Sequence, residues 1–346
     1  MSRAAALVMA VLLIVPITMA ARQPGPDYQA QIDALTARVA ALEAVVYGTP
    51  APTATPSPTP TVPPTPTSTP TVTIRVTSIA ALLTALADNT VTEIVVSNGT
   101  YVVPDAASHQ STGLWIDQRF AGRTNPVLVR SETIGGVTFS GGGATGWSAL
   151  DFRDGVHDQT WQGFRFANGE PTQTGVIVFG QNGSVVPVAP YHITLRDITF
   201  EESVTSDNPY GMSGDHAIYF SKALTPGVHD IVIDGLTVNA STSGLDSALH
   251  FWGSSSGAPN ANNVTIRRMV VKGTDQAIIL WDATLHDVLI DGATITGASQ
   301  FAVRYEEPGQ RLVIENSTST GSGQAGFFSY EGANPPGLTF TNDDLR

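Results

Sequence analysis

The chain has 346 residues, no cysteine, 33 glycines and 23 prolines, with 30 acidic against 17 basic side chains. That composition excludes a disulfide framework, a thiolate metal site and a cysteine nucleophile, and a net charge of −13 argues against binding a phosphate backbone. Because 42% of residues are hydrophobic and only 14% charged, apolar material suffices for a large core.

Arg3 is followed by an apolar run from Ala4 to Ala21, broken only by Pro16 and Thr18. A basic start, an apolar centre and a small-residue end predict a secretory signal peptide over 1–21. An uncleaved membrane anchor is the alternative, since the run is near the lower limit for a spanning helix. Either places the rest of the chain outside the cell, secreted or attached to the surface. Residues 28–47 carry Ile32, Leu35, Val39, Leu42 and Val46 at alternating steps of three and four, the stripe of a short coiled-coil helix able to self-associate weakly. Residues 48–72 are almost wholly Pro, Thr, Ser and Ala, so this linker extends as a polyproline II spacer.

The rest, 73–346, opens with an amphipathic helix over 78–88, capped by Ser78. Afterwards short β-branched runs recur, separated by Gly, Asn, Asp and Ser. Aligning the central apolar residue of one run gives Leu195, Ile233, Ile266, Ile290, Ile314 and Phe340, with weaker copies at Val96, Val129 and Trp161. A second run in each unit aligns at Ile177, Ile218, Leu249, Ile278, Val303 and Phe328. A first column that advances every 24 to 38 residues, accompanied by a second in each unit and with no helix between, predicts an all-β parallel solenoid capped by the helix.

The opening VTSIAALLTALADNTVTEIVVSNGTYVV and the stretch FAGRTNPVLVRSETIGGVTFSGG resemble the cap and first coils of pectate-lyase-like right-handed parallel β-helix proteins. The resemblance covers most of 73–346 and implies that fold. Polysaccharide lyases, glycoside hydrolases and epimerases share it with inert adhesins, and the Asn-Thr-Asp, Asp-Asp and Gly-His-Gly set of polygalacturonases is missing here.

Alternation along the second run puts Tyr219, His250 and Arg304 outward, then Trp252, Trp281, Glu306 and Glu331, with Lys222, Asp282 and Glu307 beyond. Two tryptophans on adjacent rungs predict a flat aromatic platform on which a polysaccharide could stack, edged by Glu306 and Glu331. His250, His216, Arg304 and Lys222 are the candidate proton-transfer and charge-neutralising groups. Asp215, Asp246 and Asp275 precede successive second runs, and such a column would bind Ca²⁺ or serve as turn formers. Two functions stay open: a uronan lyase or glycoside hydrolase working along this face, and a non-catalytic surface protein that binds glycan.

Overall fold

The computed structural model describes residues 71–103, 114–145, 148–171, 174–180, 188–204, 215–221, 227–240, 245–252, 261–329 and 335–345. The signal segment, the coiled-coil stretch and nearly all the Pro/Thr linker lie outside the described residues, as do Lys222 and Glu331. Among the described residues no helix is long and apolar enough to cross a membrane.

Every described strand pairing is parallel, and each strand pairs with strands one coil before and after it. That is the parallel β-helix expected from the period. Strands group into a 17-stranded sheet and an 8-stranded sheet. The larger sheet bends within each coil, as where Tyr191–Phe200 pairs first with His157–Gln162 and then with Phe164–Glu170. The bend falls on residues with positive φ: Gly163, Asp197, Gly235, Arg268, Gly292 and Asn316. Each coil therefore has three sides, two from the bent sheet and one from the smaller sheet. The left-handed region favours Gly, Asn and Asp, so much of the glycine and aspartate content serves corners.

The first predicted column is in register from Val129 through Trp161, Leu195, Ile233, Ile266, Ile290 and Ile314 to Phe340. At its start the partner of Val129 is Ile94, two residues before the expected Val96. One further strand, Thr73–Val76, pairs ahead of it through Ile74 and Ile94. Ten stacked strands at ~4.8 Å make a column on the order of 43 Å long.

Helix α1 (Ile79–Ala87) covers the first coil, with Leu82, Ala85 and Leu86 buried. Ser78 caps its start as expected, its hydroxyl accepting from the Ala81 amide at 3.1 Å. Its last turn is held by Arg123, a buried guanidinium that sequence reading passed over. Arg123 donates to the carbonyls of Leu86 (2.8 Å), Asp88 (2.9 Å) and Val91 (2.5 Å), of which Leu86 lies in the last turn, where intrahelical donors run out. Burial lowers the Arg123 pKa, with the Asp88 carboxylate opposing.

The smaller sheet is the one that carries the candidate site. Its strands are β1 (Leu114–Ile116), β2 (Leu150–Phe152), β3 (Thr174–Phe179), β4 (Asp215–Phe220), β5 (Ser247–Trp252), β6 (Gln276–Trp281), β7 (Phe301–Glu307) and β8 (Ala325–Ser329). Its inward column is Ile177, Ile218, Leu249, Ile278, Val303 and then Phe327, one residue before the predicted Phe328. Two positions along, Phe152, Phe179, Phe220 and Phe251 form a continuous ring stack with centroids 5.3, 4.9 and 4.3 Å apart. This ladder sets the spacing and tilt of the strands whose outer faces hold the site.

The histidines that open the first run are not all equivalent. His157, Tyr191 and His229 share one column and stack at 4.7 and 5.1 Å, while His192 lies one place on, opposite Asp230. There His192 bridges Asp158 (3.2 Å) and Asp230 (3.3 Å) along a column of left-handed corner residues. These exposed groups make a solvated corner, and such pairs contribute little each.

Candidate functional site

Three repeats read Asp215-His-Ala-Ile, Asp246-Ser-Ala-Leu and Asp275-Gln-Ala-Ile. The alanines 217, 248 and 277 are fully buried in the core, and so are the aliphatic residues after them. Two consecutive residues thus face inward, and simple alternation fails at the start of each strand. The residue before the alanine swings to the outer face, which brings His216, Ser247 and Gln276 beside the column of Tyr219, His250, Ile279 and Arg304. The recurrent Asp-x-Ala-aliphatic pattern was the available signal for Ser247 and Gln276. A strict period of two concealed it.

His216 and His250 meet directly. The His250 Nδ1 lies 2.7 Å from the His216 Nε2, and the His216 Nδ1 lies 2.9 Å from the Ser247 hydroxyl. The two rings cross nearly at right angles, at 88°. His216 is 2% exposed and His250 3%, so both lie away from water although they sit on the outer face. Burial drives the His216 pKa well below its ordinary value, and the neighbouring His250 adds to the shift. For His250, burial first and the Arg304 charge second lower it to about 3. Both imidazoles are therefore uncharged at neutral pH. The opposite ring nitrogen, His250 Nε2, is buried and has no hydrogen-bond partner among the described residues.

Aromatic rings surround the pair. Tyr219 stacks on His216 at 5.4 Å and 7°, and burial raises its phenol far above the ordinary value. Gly175 makes room for this, since a Cβ there would come within 2.7 Å of the Tyr219 Cβ. Trp281 lies parallel to His250 at 6.2 Å and 8°. Trp252 and Trp281 are half-buried with centroids 4.7 Å apart, but their planes meet at 64°. The expected flat platform is therefore a corner of two tryptophans. Edge-to-face contact suits the ring quadrupoles better than a coplanar arrangement.

Arg304 lies in register with Ile279, the residue that follows His250 in the column. Its Nη1 donates to Gln276 Oε1 at 3.0 Å, and its Nη2 pairs closely with Glu306. A register shift after Leu280 puts Glu307 opposite Trp281. Glu306 is thus not the rung neighbour of Trp281, as predicted, but the extra residue of a bulge turned back toward Arg304. Burial raises the Glu306 pKa, Arg304 opposes this and Glu307 adds to it.

The aspartate column does not gather. Asp215 and Asp246 are buried, whereas Asp275 is half-buried with its Oδ1 accepting from the Ser299 hydroxyl. Their backbones link successive coils, with Asp246 N–H donating to Asp215 O at 3.0 Å and Gln276 N–H to Asp246 O at 2.7 Å. Among the described residues no three His, Asp or Glu side chains converge to hold a cation. Among the described residues the donor set does not fit the Ca²⁺ cage that the Asp215, Asp246 and Asp275 column predicts. Asp282, expected on the outer face beyond Trp281, accepts from the Thr284 amide and hydroxyl, each at 2.7 Å, as a turn former.

No protein-family model matches the chain, and no curated protein matches it. Solved structures do resemble it. A mutant of the PL6 family alginate lyase AlyGC has 15% identity and a TM-score of 0.39, the match covering 79% of this chain and 38% of that one. The A-module of the Azotobacter vinelandii mannuronan C-5 epimerase AlgE4 has 12% identity and a TM-score of 0.31, covering 77% and 89%. The catalytic domain of a GH87 alpha-1,3-glucanase, in complex with tetrasaccharides, has 12% identity and a TM-score of 0.33, covering 80% and 68%. The chain spans well under half the length of AlyGC, and likeness at these scores does not extend to residues of a site.

Proposed function

We propose that the chain is an exported polysaccharide-active β-helix protein working on the outer face of β4–β7, with uronan β-elimination as its chemistry. The observation that carries this reading is the His250 imidazole: buried, uncharged, beside two half-buried tryptophans, with Nε2 lacking a partner. A buried polar atom without a hydrogen bond costs about 1–3 kcal/mol, and such costs concentrate where a ligand or reaction uses the atom.

In this reading a sugar ring packs against Trp252 and Trp281 and presents its C5 hydrogen to His250 Nε2. The nitrogen takes the proton, the C5–H electron pair becomes the C4–C5 double bond, and the C4–O4 bond breaks. The departing oxygen then receives that proton back from the His250 imidazolium, which regenerates the neutral base. The guanidinium of Arg304 faces the sugar carboxylate and offsets the charge that builds at C5. Export rests on the 1–21 leader, and weak self-association on the 28–47 stripe.

Incubation with uronic and neutral polysaccharides, with and without Ca²⁺ or chelator, tests the reading. New ultraviolet absorbance from unsaturated uronides, abolished in His250→Gln, supports it. Reducing ends without that absorbance replace the lyase with a hydrolase, for which the raised Glu306 carboxyl is the acid. The 3% exposure of His250 favours a second reading, a glycan binder without turnover. Silence across the panel, with glycan binding lost in Trp252→Ala and Trp281→Ala, would establish that binder.

A further inference from the structure

Glu306 is the residue whose place the repeat does not account for. The register shift makes it the extra residue of a bulge, and bulges re-aim side chains beside functional sites. It shares the outer face with Arg304, and the two side chains touch. The Arg304 side chain is 21% exposed and that of Glu306 11%, so solvent reaches this pair. The contact is incompletely made. Arg304 Nη2 meets Glu306 Oε1 as an ion contact, yet that buried oxygen accepts no well-formed hydrogen bond among the described residues. At an exposed corner of the fold, Arg311 makes the complete version of such a pair. Its Nε and Nη2 donate to the two oxygens of Asp287 at 2.5 and 2.6 Å. A guanidinium matches a carboxylate best through two parallel N–H bonds of that kind.

The energetics point the same way. Burial raises the Glu306 carboxyl above its ordinary range, Arg304 opposes this and Glu307 adds to it. Desolvation therefore outweighs the attraction of the guanidinium, as happens in half-buried ion pairs whose hydrogen bonding is incomplete. Gln276 Oε1 accepts from the Nη1 of Arg304 at 3.0 Å, so the guanidinium keeps an anchor when Glu306 leaves it. We infer, resting on the polysaccharide reading above, that Glu306 is an internal stand-in for a ligand carboxylate: it occupies Arg304 in the free protein and gives way to the carboxylate of an acidic sugar packed on Trp281. The exchange selects for acidic sugars. A neutral hydroxymethyl group cannot displace a carboxylate from a guanidinium, so a neutral sugar gains nothing from Arg304.

One proton balances the exchange. With Arg304 taken by the ligand, Glu306 stays half-buried beside Glu307 without its cation and binds a proton from solvent. Binding that takes up a proton tightens as the pH falls, here from 7 toward 5.5. Among the described residues the charged groups facing Glu306 are Arg304 and Glu307 of its own strand. The flanking strands contribute Leu280 and Trp281 from β6 and Phe328 and Ser329 from β8, none of them charged. Asp282, just past β6, is engaged by Thr284, and His250 stays uncharged over this range.

Calorimetric titration of the full chain with methyl β-glucuronide and methyl β-glucoside tests the exchange, since the two differ only in a carboxylate or a hydroxymethyl group. Wild type should bind the glucuronide with net proton uptake, read as heat that varies with the ionisation enthalpy of the buffer. It should also bind more tightly at pH 5.5 than at pH 7. Glu306→Gln and Glu306→Ala should each bind the glucuronide roughly fivefold more tightly than wild type at pH 7, without proton uptake and without gain on acidification. The glucoside should not distinguish these proteins, and Arg304→Gln should bind both sugars alike. Three results would overturn the inference: glucuronide binding unchanged or weakened in both folded Glu306 variants, wild-type binding without proton uptake, or no preference for the glucuronide in any of the proteins. Exchange without unsaturated product from any uronan would sink the β-elimination and leave the exchange standing. Unsaturated product formed with the same KM by wild type and both Glu306 variants would do the reverse.

Discussion

Lowering the pH should destabilise this β-helix well before its carboxylates are protonated. The unfolded chain protonates His250 at an ordinary pKa near 6.5, whereas burial and Arg304 hold it to about 3 in the folded state. Below pH 6.5 the unfolded state binds the extra proton, so stability present at neutral pH is lost as the pH falls from 6.5 toward 3. At pH 4.5 the loss from His250 alone is about 2.7 kcal/mol, two pH units at ~1.36 kcal/mol each. His216 is shifted in the same direction and adds to it. Glu306 opposes the trend because its pKa is raised, while Asp88, Glu93, Glu132, Asp230, Asp234 and Asp287 are lowered and act at more acid pH. Urea unfolding of wild type and His250→Gln at pH 7.0, 6.0, 5.0 and 4.5 isolates the His250 part by difference. The wild type should lose about 2.7 kcal/mol more than the variant over that range. Parallel pH curves for the two proteins would refute the reasoning, because they would mean that His250 titrates normally in the fold.

Arg123→Met leaves the buried carbonyls of Leu86 and Val91, at and just after the end of α1, without their donor and should cost about 2–4 kcal/mol in urea unfolding. Phe220→Ala opens a cavity within the phenylalanine ladder between Phe179 and Phe251, and a loss of about 3–5 kcal/mol in the same assay is expected. Gly175→Ala should push Tyr219 off His216, visible as a change in near-ultraviolet circular dichroism with the far-ultraviolet spectrum retained. Trp252→Ala and Trp281→Ala should each weaken oligosaccharide binding roughly 2- to 10-fold by titration calorimetry.

The solenoid was legible because its cause is periodic. A core column needs one apolar residue per coil, so the Leu195 to Phe340 spacing names the fold without any distance being known. Errors arose where the period was locally interrupted. Val96 stood in for Ile94, Phe328 for Phe327 and Glu306 for Glu307, each one or two residues from its true register at a bulge or a weak end coil. In a strand a one-residue slip exchanges inside for outside, while the two-residue slip at Val96 keeps the face and misplaces only the rung.

For the candidate site, sequence alone determined which residue types share the outer face of β4–β7: histidines, tryptophans, an arginine and carboxylates on successive rungs. Only the tertiary structure decided what they are to one another. The two consecutive inward residues of each Asp-x-Ala-aliphatic unit turn His216 outward, where it meets both His250 and Ser247. A bulge returns Glu306 to Arg304, and crossed ring planes make a corner of the two tryptophans. Rung spacing follows from backbone hydrogen bonding and can be counted along a sequence. Side-chain meetings across rungs depend on local departures from that regularity, and these become definite only when the coils are stacked.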